Sequence, residues 1–85
     1  MPADQIVMYG TTWCPDCLRA KQILNKHKIK FTWINIEDDT EAAAYVEKVN
    51  GGYKSVPTIV FPDGSVLVEP SNAALEKKLN EAGLV

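Results

Sequence analysis

The sequence predicts an α/β fold in which a four-stranded mixed sheet, laid down in the order βαβαββα, is flanked by three helices. Two observations carry that expectation. Short apolar, β-branched runs alternate with segments whose apolar residues recur at helical spacing, and the last two runs are separated only by a tight turn. A strand-helix-strand start implies a right-handed crossover between parallel strands, whereas the terminal hairpin adds an antiparallel edge. The 85 residues form one expected domain, 1–85, near the lower end of what buries an adequate core without metals or several disulfides. No internal repeat, low-complexity tract or linker divides it.

The elements follow in order. Gln5-Ile6-Val7-Met8-Tyr9 is a buried first strand, closed by Gly10. From Pro15 to about His27 the chain is helical, with Leu18, Ile23 and Leu24 sharing a face and Arg19, Lys21, Asn25 and Lys26 turned to solvent. Pro15 suits a first helical turn, where no intrahelical N–H bond is lost. Lys26, His27 and Lys28 form a solvated basic end that complements the helix dipole. Phe31-Thr32-Trp33-Ile34-Asn35-Ile36 is the second strand, and Glu37-Asp38-Asp39 precedes a helix over residues 40 to 49 with Ala42, Tyr45, Val46 and Val49 at helical spacing. Trp33 and Tyr45 are packing residues. Asn50-Gly51-Gly52 stops that helix. The third strand, Ser55-Val56-Pro57-Thr58-Ile59-Val60-Phe61, has its proline near the start, where proline is tolerated. Pro62-Asp63-Gly64-Ser65 turns the chain into Val66-Leu67-Val68. Ser71 or Asn72 then caps a last helix carrying Leu75, Leu79 and Ala82 and ending at Gly83.

The chemistry lies in Trp13-Cys14-Pro15-Asp16-Cys17, which holds the only two cysteines at the strand-to-helix junction. A helix N-terminus stabilises a thiolate through its unpaired N–H groups and dipole, and one turn of helix brings Cys17 beneath Cys14. This pattern points to thiol-disulfide exchange. Structural zinc needs four protein ligands as a rule, and beyond the cysteines the chain offers His27 and carboxylates. One cysteine pair is also too few for a disulfide-stapled secreted domain. Asp16 places a carboxylate one residue from Cys17 and two from Cys14. It either opposes the thiolate and repels an anionic thiol, or serves as a solvated N-terminal acid favouring the helix. Thr11 and Thr12 cap the helix or shape the loop.

Composition excludes several classes of function. The formal net charge of −2 gives no basic field for nucleic acid or an anionic membrane, and no apolar run approaches the roughly 18 residues of a membrane span. Met1-Pro2-Ala3-Asp4 lacks the charged and apolar regions of a secretory signal, so the expected setting is a soluble protein, a monomer, in a reducing cytoplasm.

Cys14-Pro15-Asp16-Cys17 after the first strand and Val56-Pro57 before the third, in this layout, resemble the thioredoxin fold in its compact glutaredoxin form. Within that superfamily Thr12-Trp13-Cys14, Cys17-Leu18-Arg19, Val49-Asn50-Gly51-Gly52, Val56-Pro57-Thr58, Asp63-Gly64-Ser65 and Pro70-Ser71 look like the mycoredoxins, which act with mycothiol in actinobacteria. The resemblance implies a cis bond at Pro57, backbone hydrogen bonding from Val56 to the cysteine portion of a thiol substrate, and Trp13 as a wall of the substrate groove, with a packing-only Trp13 as the alternative. It also implies no bound cofactor, a low-molecular-weight thiol (mycothiol, bacillithiol or glutathione) as co-substrate, and disulfide-containing or S-thiolated proteins as partners. Two departures argue against glutathione. Glutaredoxins that use it open the last helix with a Gly-Gly pair, where this chain has Glu69-Pro70-Ser71-Asn72, and they usually carry an aromatic residue at the position of Asp16.

In the mechanism so implied, Cys14 attacks a mixed disulfide between a protein and a small thiol. Either a second small thiol or Cys17 then releases the adduct. Two other readings stay open: a dithiol donor reduced directly by a flavin-dependent reductase, and a dimer holding an iron-sulfur cluster through Cys14 and an external thiol.

Overall fold

The computed structural model describes residues 5–84. Met1-Pro2-Ala3-Asp4, from which the absence of a secretory signal is read, lies outside the described residues, as does Val85. The elements are β1 (Ile6–Gly10), α1 (Pro15–Lys26), β2 (Phe31–Asn35), α2 (Thr40–Val49), β3 (Thr58–Val60), β4 (Val66–Val68) and α3 (Asn72–Glu81). All seven appear in the expected order. β3 is shorter than expected because Pro57 brings no N–H to a ladder, and Ser55 spends its carbonyl on the Thr58 hydroxyl at 2.7 Å.

The sheet order is β2-β1-β3-β4, with β1 parallel to β2, antiparallel to β3, and β3 antiparallel to β4. Alternation along the strands sends side chains to two unequal faces. Ile6 and Met8 of β1 join Ile59, Phe61, Ala20, Ile23, Leu24, Leu75 and Leu79 in the larger core, between the sheet and the α1 and α3 helices. On the other face Ile36, Ala42 and Val46 form a smaller core with Tyr9, Ile34, Tyr45 and Val56 packed against it. The packing roles of Trp33 and Tyr45 hold: Trp33 lies against the larger core, and Tyr45 meets Tyr9 with ring centroids 5.1 Å apart.

Several faces depart from the sequence expectation. Leu18 is exposed, and the buried residues of α1 are Cys17, Ala20, Ile23 and Leu24. Six residues separate Leu18 from Leu24, which sets them about 120° apart, whereas Cys17 and Leu24 lie within about 20°. Cys17 takes the core position because a free cysteine packs as a small hydrophobe. Val49 and Ala82 are exposed at helix ends, Ala82 being the C-cap of α3. The His27 end of α1 is a tether as well as a solvated terminus: His27 Nε2 lies 2.6 Å from Glu76 Oε1 of α3, and Lys26 Nζ lies 3.5 Å from Glu76 Oε2. That pairing holds the Glu76 carboxyl below its ordinary range.

Candidate active site

β1 is a central strand, so the loop after it rises at the carboxyl end of the sheet, where α/β folds place their ligands. The chain leaves Gly10 through Thr11-Thr12-Trp13, and Cys14 is the N-cap of α1, with φ −87° and ψ 114°. The Cys17 N–H donates to Cys14 Sγ at 3.1 Å. A sulfur thus performs the task usually given to a serine, threonine or aspartate oxygen. Neither Thr11 nor Thr12 is the cap. Thr11 is instead buried, and its hydroxyl finds no partner among the described residues.

On the other side of the sulfur, the Cys14 thiol reaches towards the Val56 carbonyl at 3.8 Å, and the Val56-Pro57 peptide bond is cis. Pro57 is fully buried, and its carbonyl accepts the Glu69 N–H at 2.9 Å, which ties this loop to the end of β4. Both cysteines are free thiols. Cys17 is the deeper, with 1% of its surface exposed against 7% for Cys14. Burial, reinforced by the hydrogen bond with Cys14, pushes the Cys17 thiol up to about 12, while the Thr11 backbone and the Lys21 charge pull the other way.

Two depressions meet at this loop. One, of about 280 Å³, is lined by Thr11, Thr12, Trp13, Cys14, Pro15, Cys17, Leu18 and Lys21. The other, of about 520 Å³, runs from Thr11 and Trp13 past Ile36, Glu37 and Thr40 to Ala43, Lys54 and Val56. Trp13 divides them. Its indole is 68% exposed and donates through Nε1 to Glu37 Oε2 at 3.0 Å. Asp16 lines neither depression, because its carboxylate is paired with Arg19 one turn along α1.

The fold therefore brings Trp13, Cys14, Pro15, Cys17, Val56 and Pro57 together and turns Asp16 aside. Sequence reasoning missed Leu18, Glu37 and Gly10. Leu18 could have been found from helical geometry, since it falls outside the stripe set by Leu24. Gly10 gives no signal in one sequence, yet a Cβ there would meet Cys17 Sγ at 2.6 Å and the Trp33 ring at 2.7 Å. Among the described residues no group of three or more His, Cys, Asp or Glu side chains could hold a metal ion. Among them, too, no helix is long and apolar enough to cross a membrane.

The sequence model of the Glutaredoxin family matches residues 6–67, which include both cysteines and the Val56-Pro57 bond. The chain belongs to the glutaredoxin family. Similar glutaredoxins include a Mycobacterium tuberculosis protein provisionally named as one, 42% identical over 74 residues that cover 87% of this chain and 88% of that protein. Mycoredoxin 1 of Corynebacterium glutamicum is 31% identical over 76 residues, covering 89% of this chain and 94% of its own. Among solved structures, oxidised glutaredoxin 2 of Chlamydomonas reinhardtii superposes with a TM-score of 0.66 at 32% identity, over 95% of this chain and 84% of that one. As a glutaredoxin close to mycoredoxins, the protein is a thiol-disulfide oxidoreductase with the thioredoxin-like fold. Its co-substrate is a low-molecular-weight thiol, and it acts on disulfide-containing or S-thiolated proteins.

Proposed function

We propose that the protein reduces mixed disulfides between proteins and a mycothiol-like thiol, with Cys14 as nucleophile and Cys17 as the second, resolving thiol. The observation that carries this reading is the Cys14 sulfur itself. It caps α1, accepts the Cys17 N–H and faces the Val56 carbonyl at the meeting point of two depressions. The helix N-terminus favours negative charge at that point, which is what an attacking or leaving sulfur carries.

Cys14 attacks the mixed disulfide, the protein thiolate leaves and takes a proton, and the small thiol stays on Cys14 as a new disulfide. A second small thiol, or Cys17, then displaces it. Val56 offers its backbone to the cysteine portion of the bound thiol, Pro57 sets the direction of that backbone, and Trp13 and Pro15 wall the approach. Asp16 takes no direct part in this reading, since its carboxylate is paired with Arg19 and lines neither depression. The preference for mycothiol rests on the kinship with mycoredoxin 1 and on Glu69-Pro70-Ser71-Asn72, which stands where glutathione-using glutaredoxins open the last helix with a Gly-Gly pair.

The test offers mixed disulfides of mycothiol, bacillithiol and glutathione to the wild type, Cys14→Ser and Cys17→Ser. Cys14→Ser is expected to be inactive with all three, and Cys17→Ser to retain turnover with the true small thiol. Turnover surviving in Cys14→Ser overturns the nucleophile, and faster reduction with glutathione than with mycothiol overturns the substrate.

A further inference from the structure

Lys21 is expected from sequence to face solvent, but the structure folds it back. It is half-buried, its Nζ stands 3.5 Å from the centroid of the Trp33 ring, and it lines the same depression as Cys14 and Cys17. A cation over an indole face is attracted by the ring quadrupole, so Trp33 holds the ammonium rather than merely touching its stem. Trp33 belongs to β2 and packs against the larger core, which gives the ring a fixed seat. Cys17 and Lys21 are four residues apart, neighbours on one helix face. Gly10 completes the cluster: a Cβ there would meet the Cys17 sulfur at 2.6 Å and the Trp33 ring at 2.7 Å, so both close on the glycine.

The other cations of α1 are engaged elsewhere, Arg19 by Asp16 and Lys26 by Glu76. We propose that Trp33 holds Lys21 as the fixed cation for Cys17, making Lys21 a positioning residue that controls how readily Cys17 closes onto Cys14. This rests on the reading of Cys14 as the nucleophile. In the step concerned, Cys17 gives its proton to water and attacks Cys14 Sγ of the mixed disulfide. The Cys14–Cys17 bond forms as the bond to the small thiol breaks, and that thiol leaves with the electron pair and takes up a proton. The cysteine pair is oxidised by two electrons and the small thiol is reduced. A thiol as buried as Cys17 gives up its proton reluctantly, so a neighbouring positive charge matters more to this step than to any other in the cycle. The groups acting on Cys17 are Cys14 and Lys21 and, from the loop before the helix, the uncharged Thr11 backbone, with Gly10 packed against its sulfur.

The experiment treats the reduced protein with hydroxyethyl disulfide, an uncharged probe, and follows by acid quench and mass spectrometry first the adduct on Cys14 and then its conversion to the internal disulfide. The expected result for Lys21→Met is a closure profile displaced upward by about one pH unit, which is about a tenfold loss of rate on the rising limb, with Lys21→Arg close to wild type. Trp33→Leu, which keeps the lysine but removes its seat, shifts closure in the same direction, and adding Lys21→Met to it changes little more. An unshifted profile in Lys21→Met, or an equal shift in Lys21→Arg, overturns the proposal. Lys21→Met lies on the half-exposed side of α1, so the test survives if Trp33→Leu does not fold. Failure of the wild type to form any adduct on Cys14 overturns the nucleophile and this inference together, and it is read separately from closure.

Discussion

The three helices among the described residues begin in the same way, and the difference between them is one atom. In α2 the Asp39 carboxylate accepts the Ala42 N–H at 3.0 Å, and in α3 the Ser71 hydroxyl accepts the Ala74 N–H at 3.1 Å. In α1 the acceptor of the Cys17 N–H, again at 3.1 Å, is the Cys14 sulfur. Each bond satisfies one of the four donors that a helix start leaves unpaired. Oxygen does this and nothing more. Sulfur in the same place would, in the proposed reaction, couple a structural task to a reactive one, because the field that favours the cap also favours the charge that passes through an exchanging sulfur. The candidate active site is thus an ordinary helix start with an unusual cap.

The substitution that breaks this comparison most sharply is Cys14→Ser. Serine is a better cap than cysteine, so unfolding free energy in a denaturant titration should stay within about 1 kcal/mol of wild type. Turnover on the mixed disulfide should fall by about three orders of magnitude or more. Next comes Gly10→Ala, which attacks what lies under the sulfur cap and has no counterpart beneath the oxygen caps. Its methyl group would press on Cys17 Sγ and the Trp33 ring, and the expected cost is about 1–3 kcal/mol, measured by chemical denaturation.

A third effect concerns the residue whose N–H feeds the sulfur cap. The Cys17 thiol is raised from its ordinary value of 9.0 to about 12, so the folded state holds its proton where the unfolded state has lost it. Its contribution to stability is complete below about pH 9 and is lost as the pH rises towards 12. Denaturation midpoints taken upward from pH 8 should therefore fall more steeply for the wild type than for Cys17→Ala. Equal slopes would show that the thiol is not desolvated in solution. The smallest effect is Asp39→Ala, which removes an oxygen cap. A loss of about 1 kcal/mol with turnover intact is expected, the reverse of the Cys14→Ser pattern.

Much of this was legible in the residues. Apolar runs and turn residues placed all seven elements, and the Cys-x-x-Cys spacing with Val56-Pro57 named residues that the fold brings together. What escaped depends on three-dimensional neighbours. Leu18 is the exception: its offset of about 120° from Leu24 already set it outside the core stripe, where Cys17 takes the position assigned to it. Lys21 looked solvated because its partner, Trp33, comes from a strand twelve positions away. Asp16 looked close to both sulfurs along the chain, but helical spacing offers it Arg19, three residues on, and the pair turns outward. Glu37 took its place at the groove only because the loop after β2 meets Trp13.

The two tryptophans divide the two sulfurs between them. Trp13 adjoins Cys14 in the chain and stands in solvent, whereas Trp33 sits across Gly10 from Cys17. Light absorbed by the indoles is consequently reported from two separate addresses. A Trp33→Phe protein emits from the mouth of the site, where a thiol arriving on Cys14 alters polarity and quenching. A Trp13→Phe protein emits from the floor, where the closing of Cys17 is felt. The molecule carries one fluorophore for each half of the proposed cycle, so the order of the two events can be timed without attaching a label.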